Sequence, residues 1–103
     1  MAKQLKPDYK FNEGTLIEEF HSYIDSTYQQ HYGQGGLQSS EVIIDRGHGL
    51  GFFLGNVDKY NARYGKKGTP ADHRKDLMKV LHMDCLRFMS TIDQTKNNYV
   101  QMH

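Results

Sequence analysis

The chain has 103 residues, with 13 Lys and Arg against 12 Asp and Glu, and this length corresponds to one domain. The size excludes a two-domain dinucleotide-binding enzyme and a (β/α)8 barrel. Hydrophobic residues make up 37% of the chain, below the roughly 45–50% of an average domain. A core this small favours association between copies of the chain, so we expect a homo-oligomer.

The cysteine content and the apolar runs indicate the compartment. Cys85 is the single cysteine, so this chain alone builds neither a disulfide framework nor a thiolate zinc site. No apolar run approaches the roughly 20 residues of a transmembrane helix, and residues 1–11 lack the apolar centre of a signal peptide. We therefore expect a cytoplasmic protein with no membrane partner.

The first predicted element is an amphipathic helix. Residues 1–13 are polar and are expected to form a flexible arm. Thr15 and Glu18 then have the spacing of a capping box, which predicts a helix start at Thr15. Apolar residues follow at intervals of three and four, at Leu16, Ile17, Phe20, Tyr23, Ile24 and Tyr28. The helix should end before the glycine-rich residues 33–36.

A short apolar segment and a second helix come next. Residues 41–44, with Ser39 or Ser40 as a candidate cap, fit either a short helix or a strand, because three β-branched residues stand in a row. The second helix is predicted from regularly spaced apolar positions, at Leu50, Phe53, Leu54, Val57, Tyr60 and Tyr64. Gly55 within it suggests a close approach of a backbone or a ligand.

The last predicted helix begins at Thr69 and Pro70, a favoured N-cap followed by a favoured first residue. Its apolar stripe is expected to form the core and comprises Leu77, Leu81, Cys85, Phe88 and Ile92. Cys85 is accordingly interpreted as a core residue. The sequence thus predicts an all-α bundle of three to four helices over residues 14–95, completed by self-association, with residues 96–103 as a frayed tail.

Charge is distributed unevenly along the chain. Residues 1–45 carry three basic and seven acidic side chains, whereas residues 46–79 carry eight basic and three acidic ones. A locally basic segment without a long Lys/Arg run fits a site for one phosphate-sized anion. It fits equally a solvated basic face balanced by the acidic N-terminal segment.

One side of the second helix collects the candidate ligand-binding residues, which are Asn56, Lys59, Tyr60 and Arg63. Arg63 can hold a phosphate through two donors, Lys59 can add a charge, and Asn56 can offer an amide. Tyr60 fits either a core position or a surface on which a base stacks. Arg63 and its neighbours thus predict a phosphate site.

Further basic residues follow in the loop and in the last helix. Lys66 and Lys67 are expected to close over a ligand, and Lys75 and Lys79 to face the same cleft as Arg63. The loop does not match the Walker A phosphate-binding pattern, because its Gly-Lys pair lacks the upstream glycine and the following Ser or Thr.

Three polar residues stand at the start of the last helix. His73 and Asp76 are three residues apart and could share a metal ion or a magnesium-bound water. Asp72 and Asp76 are equally explained by the helix macrodipole, which favours acidic residues in the first turns. Without a third ligand, we predict no resident metal site.

Several of these residues together resemble the signature of a small bacteriophage family. They are His31-Tyr32, residues 37–44, Gly55-Asn56, Lys59-Tyr60, Arg63, residues 65–67, Asp76-Leu77 and Lys79. The resemblance covers about residues 31–90. That family is similar to the C-terminal part of the T7-type phage nucleotide kinase, which phosphorylates deoxynucleoside monophosphates.

The resemblance implies a phage origin, an oligomer in the cytoplasm of the infected host, and a nucleotide ligand. One hypothesis is a kinase-like transferase that uses ATP and Mg²⁺, in which Arg63, Lys66 and Asp76 act in catalysis. Its monophosphate would bind to Asn56, Lys59, Tyr60, Arg63, Lys66, Lys67 and Lys79. The other hypothesis is a non-catalytic oligomer that sequesters a nucleotide or contacts nucleic acid or a host protein.

Overall fold

The computed structural model describes the backbone of residues 7–32 and 39–102 and the side chains of residues 7–30 and 39–92. Four α-helices occur, and no strand is present in these described ranges: α1 (Glu13–Thr27), α2 (Ser39–Asp45), α3 (Gly49–Arg63) and α4 (Pro70–Met102). The predicted all-α class is confirmed. The chain divides into two compact units, residues 1–33 and 34–103.

The first unit consists of α1 and the segments that flank it. The helix begins at Glu13, so the predicted start at Thr15 is wrong. Asn12 precedes it in the left-handed conformation, with φ 62°, which asparagine tolerates better than most residues. The Glu13 carboxylate accepts a hydrogen bond from the Phe11 N–H at 2.8 Å. This local bond fixes the start two residues before the capping-box pattern.

The end of α1 changes its winding. A π-helical turn, Tyr28–Tyr32, follows Thr27 directly. The Thr27 hydroxyl donates to the Tyr23 carbonyl oxygen at 3.0 Å, a back-bond that often accompanies helix bending. The predicted stop at residues 33–36 lies outside the described residues.

The second unit begins with α2, so the segment that fitted either a helix or a strand is helical. The turn after α2 is closed by two backbone bonds, from the Gly47 N–H to the Ile44 carbonyl and from the His48 N–H to the Ile43 carbonyl. Helix α3 starts at Gly49 and matches the predicted second helix. Phe53 is completely buried and Val57 is 7% exposed, and these two residues form the hydrophobic core of the described part.

Helix α4 starts as predicted, with Pro70 as its first residue. Its apolar stripe, however, is not the core: Leu77, Leu81, Phe88 and Ile92 are 42–75% exposed, and Cys85 is exposed as well. The prediction of a core cysteine is therefore wrong. Asp76 and His82 are buried instead, at 4% and 8% exposure. Helix α4 turns toward α3 a side other than its apolar stripe.

Some expectations on organisation stay predictions. These are the flexible arm over residues 1–13, the single domain over residues 14–95 and the frayed tail over residues 96–103. The backbone of α4 is helical as far as Met102. None of the described helices is both long enough and apolar enough to cross a membrane.

Candidate functional site

The site lies where α3 ends and α4 begins, on a helical hairpin within the second unit. Three contacts cross the hairpin in sequence: Tyr60 with Lys79, Arg63 with Asp76, and Tyr64 with His73. The residue numbers increase along the α3 side of these pairs and decrease along the α4 side, as expected for antiparallel helices. The Tyr64 and His73 rings meet edge to face, with their centroids 5.7 Å apart. The hairpin thus brings together two segments that the sequence placed in one cleft.

Arg63 and Asp76 form the central ion pair. The Arg63 Nε donates to Asp76 Oδ1 at 3.2 Å and Nη2 donates to the same oxygen. The Asp76 side chain is 6% exposed, whereas that of Arg63 is 44% exposed. The hydrogen bond from Arg63 lowers the pKa of Asp76, and the same bond raises the pKa of Arg63. The Nη1 group takes no part in these bonds and can donate to a ligand.

The first turn of α4 is closed by a reciprocal cap. Asp72 Oδ2 accepts from the Thr69 N–H at 2.9 Å and from the Thr69 hydroxyl at 3.1 Å. The Asp72 N–H in turn donates to the Thr69 hydroxyl at 3.4 Å. The hydrogen bond from the Thr69 N–H has the largest effect in lowering the pKa of Asp72, and the bond from the Thr69 hydroxyl lowers it further. The predicted N-cap at Thr69 is confirmed, and the Asp72 carboxylate is engaged in it.

A pocket of about 300 Å³ opens beside these bonds. Its lining comprises Arg63, Lys67, Gly68, Asp72, Lys75, Asp76 and Lys79. Four cationic side chains therefore face two carboxylates, each of which already accepts hydrogen bonds from Arg63 or Thr69. We call this the basic pocket. Its remaining positive charge suits a phosphate group.

The structure brings together part of the predicted site. Arg63, Lys67 and Lys79 line the basic pocket, and Lys75 lines it as the sequence suggested. Asp76 lies there too, held by Arg63. Its expected assistance to Mg²⁺ stays a prediction.

Other predicted residues lie outside the lining. Asn56 Nδ2 donates to the Phe52 carbonyl of its own helix at 2.9 Å, so its amide already has a partner. Lys66 is not among the lining residues, and its N–H donates to the Arg63 carbonyl at 3.0 Å. Lys59 and Tyr60 contact each other beside the pocket, with Lys59 Nζ 4.5 Å from the ring centroid.

Sequence reasoning missed the structural use of Asp72 and Gly68. The signal for Asp72 was the three-residue spacing from Thr69, which is that of a capping box with aspartate as its acidic member. Gly68 has φ +85°, and a Cβ placed on it would lie 2.6 Å from Asp72 Oδ2. The loop before α4 therefore requires glycine at residue 68, because it approaches the Asp72 side chain closely there.

Groups of metal-binding type are sparse in this region. Among the side chains at residues 7–30 and 39–92, no three His, Cys, Asp or Glu residues are grouped so as to hold a metal ion. His73 packs on Tyr64, and its buried Nε2 has no hydrogen-bond partner in the structure. The arrangement offers cations for an anion more readily than oxygen ligands for a metal.

Comparison with known proteins identifies a family. A family model described as a protein of unknown function (DUF3310) matches residues 26–83. No curated protein and no solved structure matches the chain. The matched segment contains α2, α3, the loop after α3, the start of α4 and every residue that lines the basic pocket. Because the match covers more than half of the sequence, the chain belongs to the DUF3310 family.

Proposed function

We propose that the chain binds a nucleotide through its phosphate in the basic pocket. One observation carries this proposal: both carboxylates of the pocket are already bonded, Asp76 to Arg63 and Asp72 to Thr69. The charges of Arg63 and Asp76 offset each other, and Lys67, Lys75 and Lys79 outweigh the Asp72 carboxylate, so the pocket keeps a net positive charge for a ligand. Phosphate oxygens accept hydrogen bonds from several cations at once, which makes such a cluster a favourable seat.

The size of the basic pocket limits which ligands can bind there. Its volume of about 300 Å³ is at the lower end of the range for small-molecule sites. A pocket on this scale suits a mononucleotide, whereas a nucleic-acid strand needs a groove that follows its backbone. The basic residues that line the pocket lie together at one end of the hairpin, which also favours a small ligand.

We further propose the reaction that the phage kinase resemblance implies, in which ATP phosphorylates a deoxynucleoside monophosphate. An oxygen of the monophosphate bonds to the γ-phosphorus of ATP, and the bond from that phosphorus to the ADP oxygen breaks. Positioning and charge stabilisation supply most of the catalysis in such transfers. Arg63 Nη1 and the pocket lysines can supply both, and Mg²⁺ would enter on the ATP phosphates. The same resemblance supports a phage source and action in the host cytoplasm.

A second function is favoured by the same engaged carboxylates. Asp72 and Asp76 already accept hydrogen bonds from Thr69 and Arg63, so neither offers a fully open carboxylate to the Mg²⁺ that a kinase would use. A non-catalytic homo-oligomer that sequesters a nucleotide uses the pocket without that ion. Turnover separates this candidate from the kinase.

The test combines turnover with binding. The purified chain is incubated with ATP, Mg²⁺ and each deoxynucleoside monophosphate, and the products are separated by ion-exchange chromatography. Binding of each monophosphate is measured in parallel by calorimetry. Lys75→Gln removes one pocket cation, and Arg46→Gln serves as the matched control because Arg46 lies outside the basic pocket.

We expect Lys75→Gln to weaken nucleotide binding about 10- to 100-fold, the effect of losing one charged hydrogen bond, and Arg46→Gln to leave it unchanged. Diphosphate formed by the wild type and by Arg46→Gln supports the kinase. Binding without product supports sequestration. Equal binding by wild type and Lys75→Gln, or no binding at all, contradicts the proposed pocket.

A further inference from the structure

The Tyr60 ring lies among three cationic side chains. Lys59 Nζ is 4.5 Å from the ring centroid, the Arg63 guanidinium carbon 5.0 Å and Lys79 Nζ 5.1 Å. All three lie within the roughly 6 Å over which an aromatic face attracts a cation. Lys59 and Arg63 come from α3, like the ring itself, whereas Lys79 comes from α4. The ring therefore ties the two helices of the hairpin together through charge.

Holding three positive charges in one place is unfavourable without a compensating group. Asp76 compensates Arg63 by direct hydrogen bonds. The electron-rich face of an aromatic ring offers a second compensation, which a side chain of similar size without a ring does not provide. Arg63 and Lys79 both line the basic pocket, whereas Tyr60 does not. The ring thus affects the pocket through Arg63 and Lys79, which contact the ring and also line the pocket.

We propose that Tyr60 is a positioning residue whose ring holds Arg63 and Lys79 at the wall of the basic pocket, in place to receive a phosphate. The proposal rests on the proposed function. This role differs from both interpretations of Tyr60 that the sequence left open, which were a core residue and a surface on which a base stacks. The ring carries this role and the hydroxyl does not.

Two substitutions separate the ring from the hydroxyl. Tyr60→Phe keeps the ring, and Tyr60→Leu keeps apolar volume but removes it. Binding of thymidine monophosphate is measured by calorimetry, with the melting temperature of each variant as a control. We expect Tyr60→Phe to bind within about twofold of the wild type and Tyr60→Leu to bind about tenfold more weakly, as the loss of two cation–π contacts implies. Equal weakening in both variants, or none in Tyr60→Leu, overturns the proposal.

A double-mutant cycle shows whether the effect passes through the cation. In a Lys79→Gln background, the loss of binding free energy caused by Tyr60→Leu should fall to about half. The reason is that one of the two pocket cations at the ring is gone. In the matched Lys75→Gln background the effect should stay complete, because Lys75 lines the pocket but is not one of the three cations at the ring. An undiminished effect in the Lys79→Gln background indicates a merely structural role for Tyr60.

A measurement on the wild-type chain without ligand covers the case in which Tyr60→Leu fails to fold. The methylene protons next to Lys79 Nζ and to the Arg63 guanidinium should resonate upfield of their ordinary positions, because the ring current shields them. Ordinary positions for both overturn the proposal. If the shifts are present but the wild type binds no thymidine monophosphate, the ring contact stands, whereas the proposed function and the phosphate role of Tyr60 both fail.

Discussion

The two sides of helix α4 depart from the usual division into a buried apolar side and an exposed polar side. The side with buried residues carries Asp76 and His82, whereas the apolar stripe carries Phe88, which is 75% exposed, and Ile92, which is 63% exposed. A helix in a small domain ordinarily buries its apolar side. The pairing of Asp76 with Arg63 across the hairpin thus accompanies a buried carboxylate on the inward side, where Val80, Met83 and Leu86 are half-buried. It also leaves an apolar surface on the outside of the second unit.

The largest effect is expected from removing the buried aromatic of α3. Phe53 has no exposed surface, and Phe53→Ala deletes a ring from a core in which Val57 is the other buried apolar side chain of the described part. The cost for such a change is about 3–5 kcal/mol, which is a large fraction of the stability of a domain this size. Urea unfolding followed by circular dichroism measures it. A cost below about 1 kcal/mol would contradict the assignment of Phe53 to the centre of the core.

A pair of glycine substitutions tests the loop that presents the buried side of α4. Gly68→Ala forces a Cβ onto a residue at φ +85° and within 2.6 Å of Asp72 Oδ2, so it should cost at least about 1–2 kcal/mol. Gly55→Ala lies inside α3 with open space around it, so it should stabilise by about 0.5–1 kcal/mol. Thermal melting of both variants provides the comparison. A neutral Gly68→Ala would show that the close contact between Gly68 and the Asp72 carboxylate is not required.

The sequence predicted the helices of the second unit better than the side on which α4 packs. The three- and four-residue spacing that ends in Tyr60 and Tyr64 defined α3, and Thr69 with Pro70 defined the start of α4. Spacing identifies the apolar side of a helix but does not say what covers it, because the partner is set by contacts distant in sequence. For that reason Cys85 was assigned to a core and is exposed.

The candidate site was predicted in part for the same reason. Helical spacing placed Arg63 on one side of α3, and the charge excess pointed to Lys75 and Lys79. Spacing could not show that Asp76 bonds Arg63 or that the Asn56 amide bonds its own helix. Short polar side chains satisfy either a ligand or the nearby backbone, and only the assembled hairpin decides between these uses.

The buried histidine of α4 predicts a pH dependence of stability. Burial lowers the pKa of His82 below its ordinary value of 6.5. The unfolded chain therefore takes up a proton on this side chain at a higher pH than the folded chain, and stability falls as the pH drops below about 6.5. His82→Gln should flatten this fall between pH 7 and pH 5.5, as measured by melting temperature. An unchanged slope would assign the pH dependence to another group.

The smallest effect on folding is expected on the exposed stripe. Phe88→Ser should change stability by no more than about 0.5 kcal/mol, because the ring is 75% exposed. The composition predicts self-association, and the stripe is the surface that would carry it, so the same variant should lower the molar mass in light scattering. Arg46→Ser, in the turn that follows α2, is the control. An unchanged mass for Phe88→Ser would exclude this stripe as the surface of self-association.

The cations gathered between the end of α3 and the start of α4 are proposed to bind a phosphate. The most direct test of this proposal is an NMR titration of the ¹⁵N-labelled chain with thymidine monophosphate, which follows every backbone amide. We expect the shifts to concentrate at Lys67, Gly68, Asp72 and Lys75, α2 to stay unchanged, and Lys75→Gln to weaken the response. Shifts centred on α2 or on the apolar stripe of α4, or none at saturating nucleotide, would contradict the proposal.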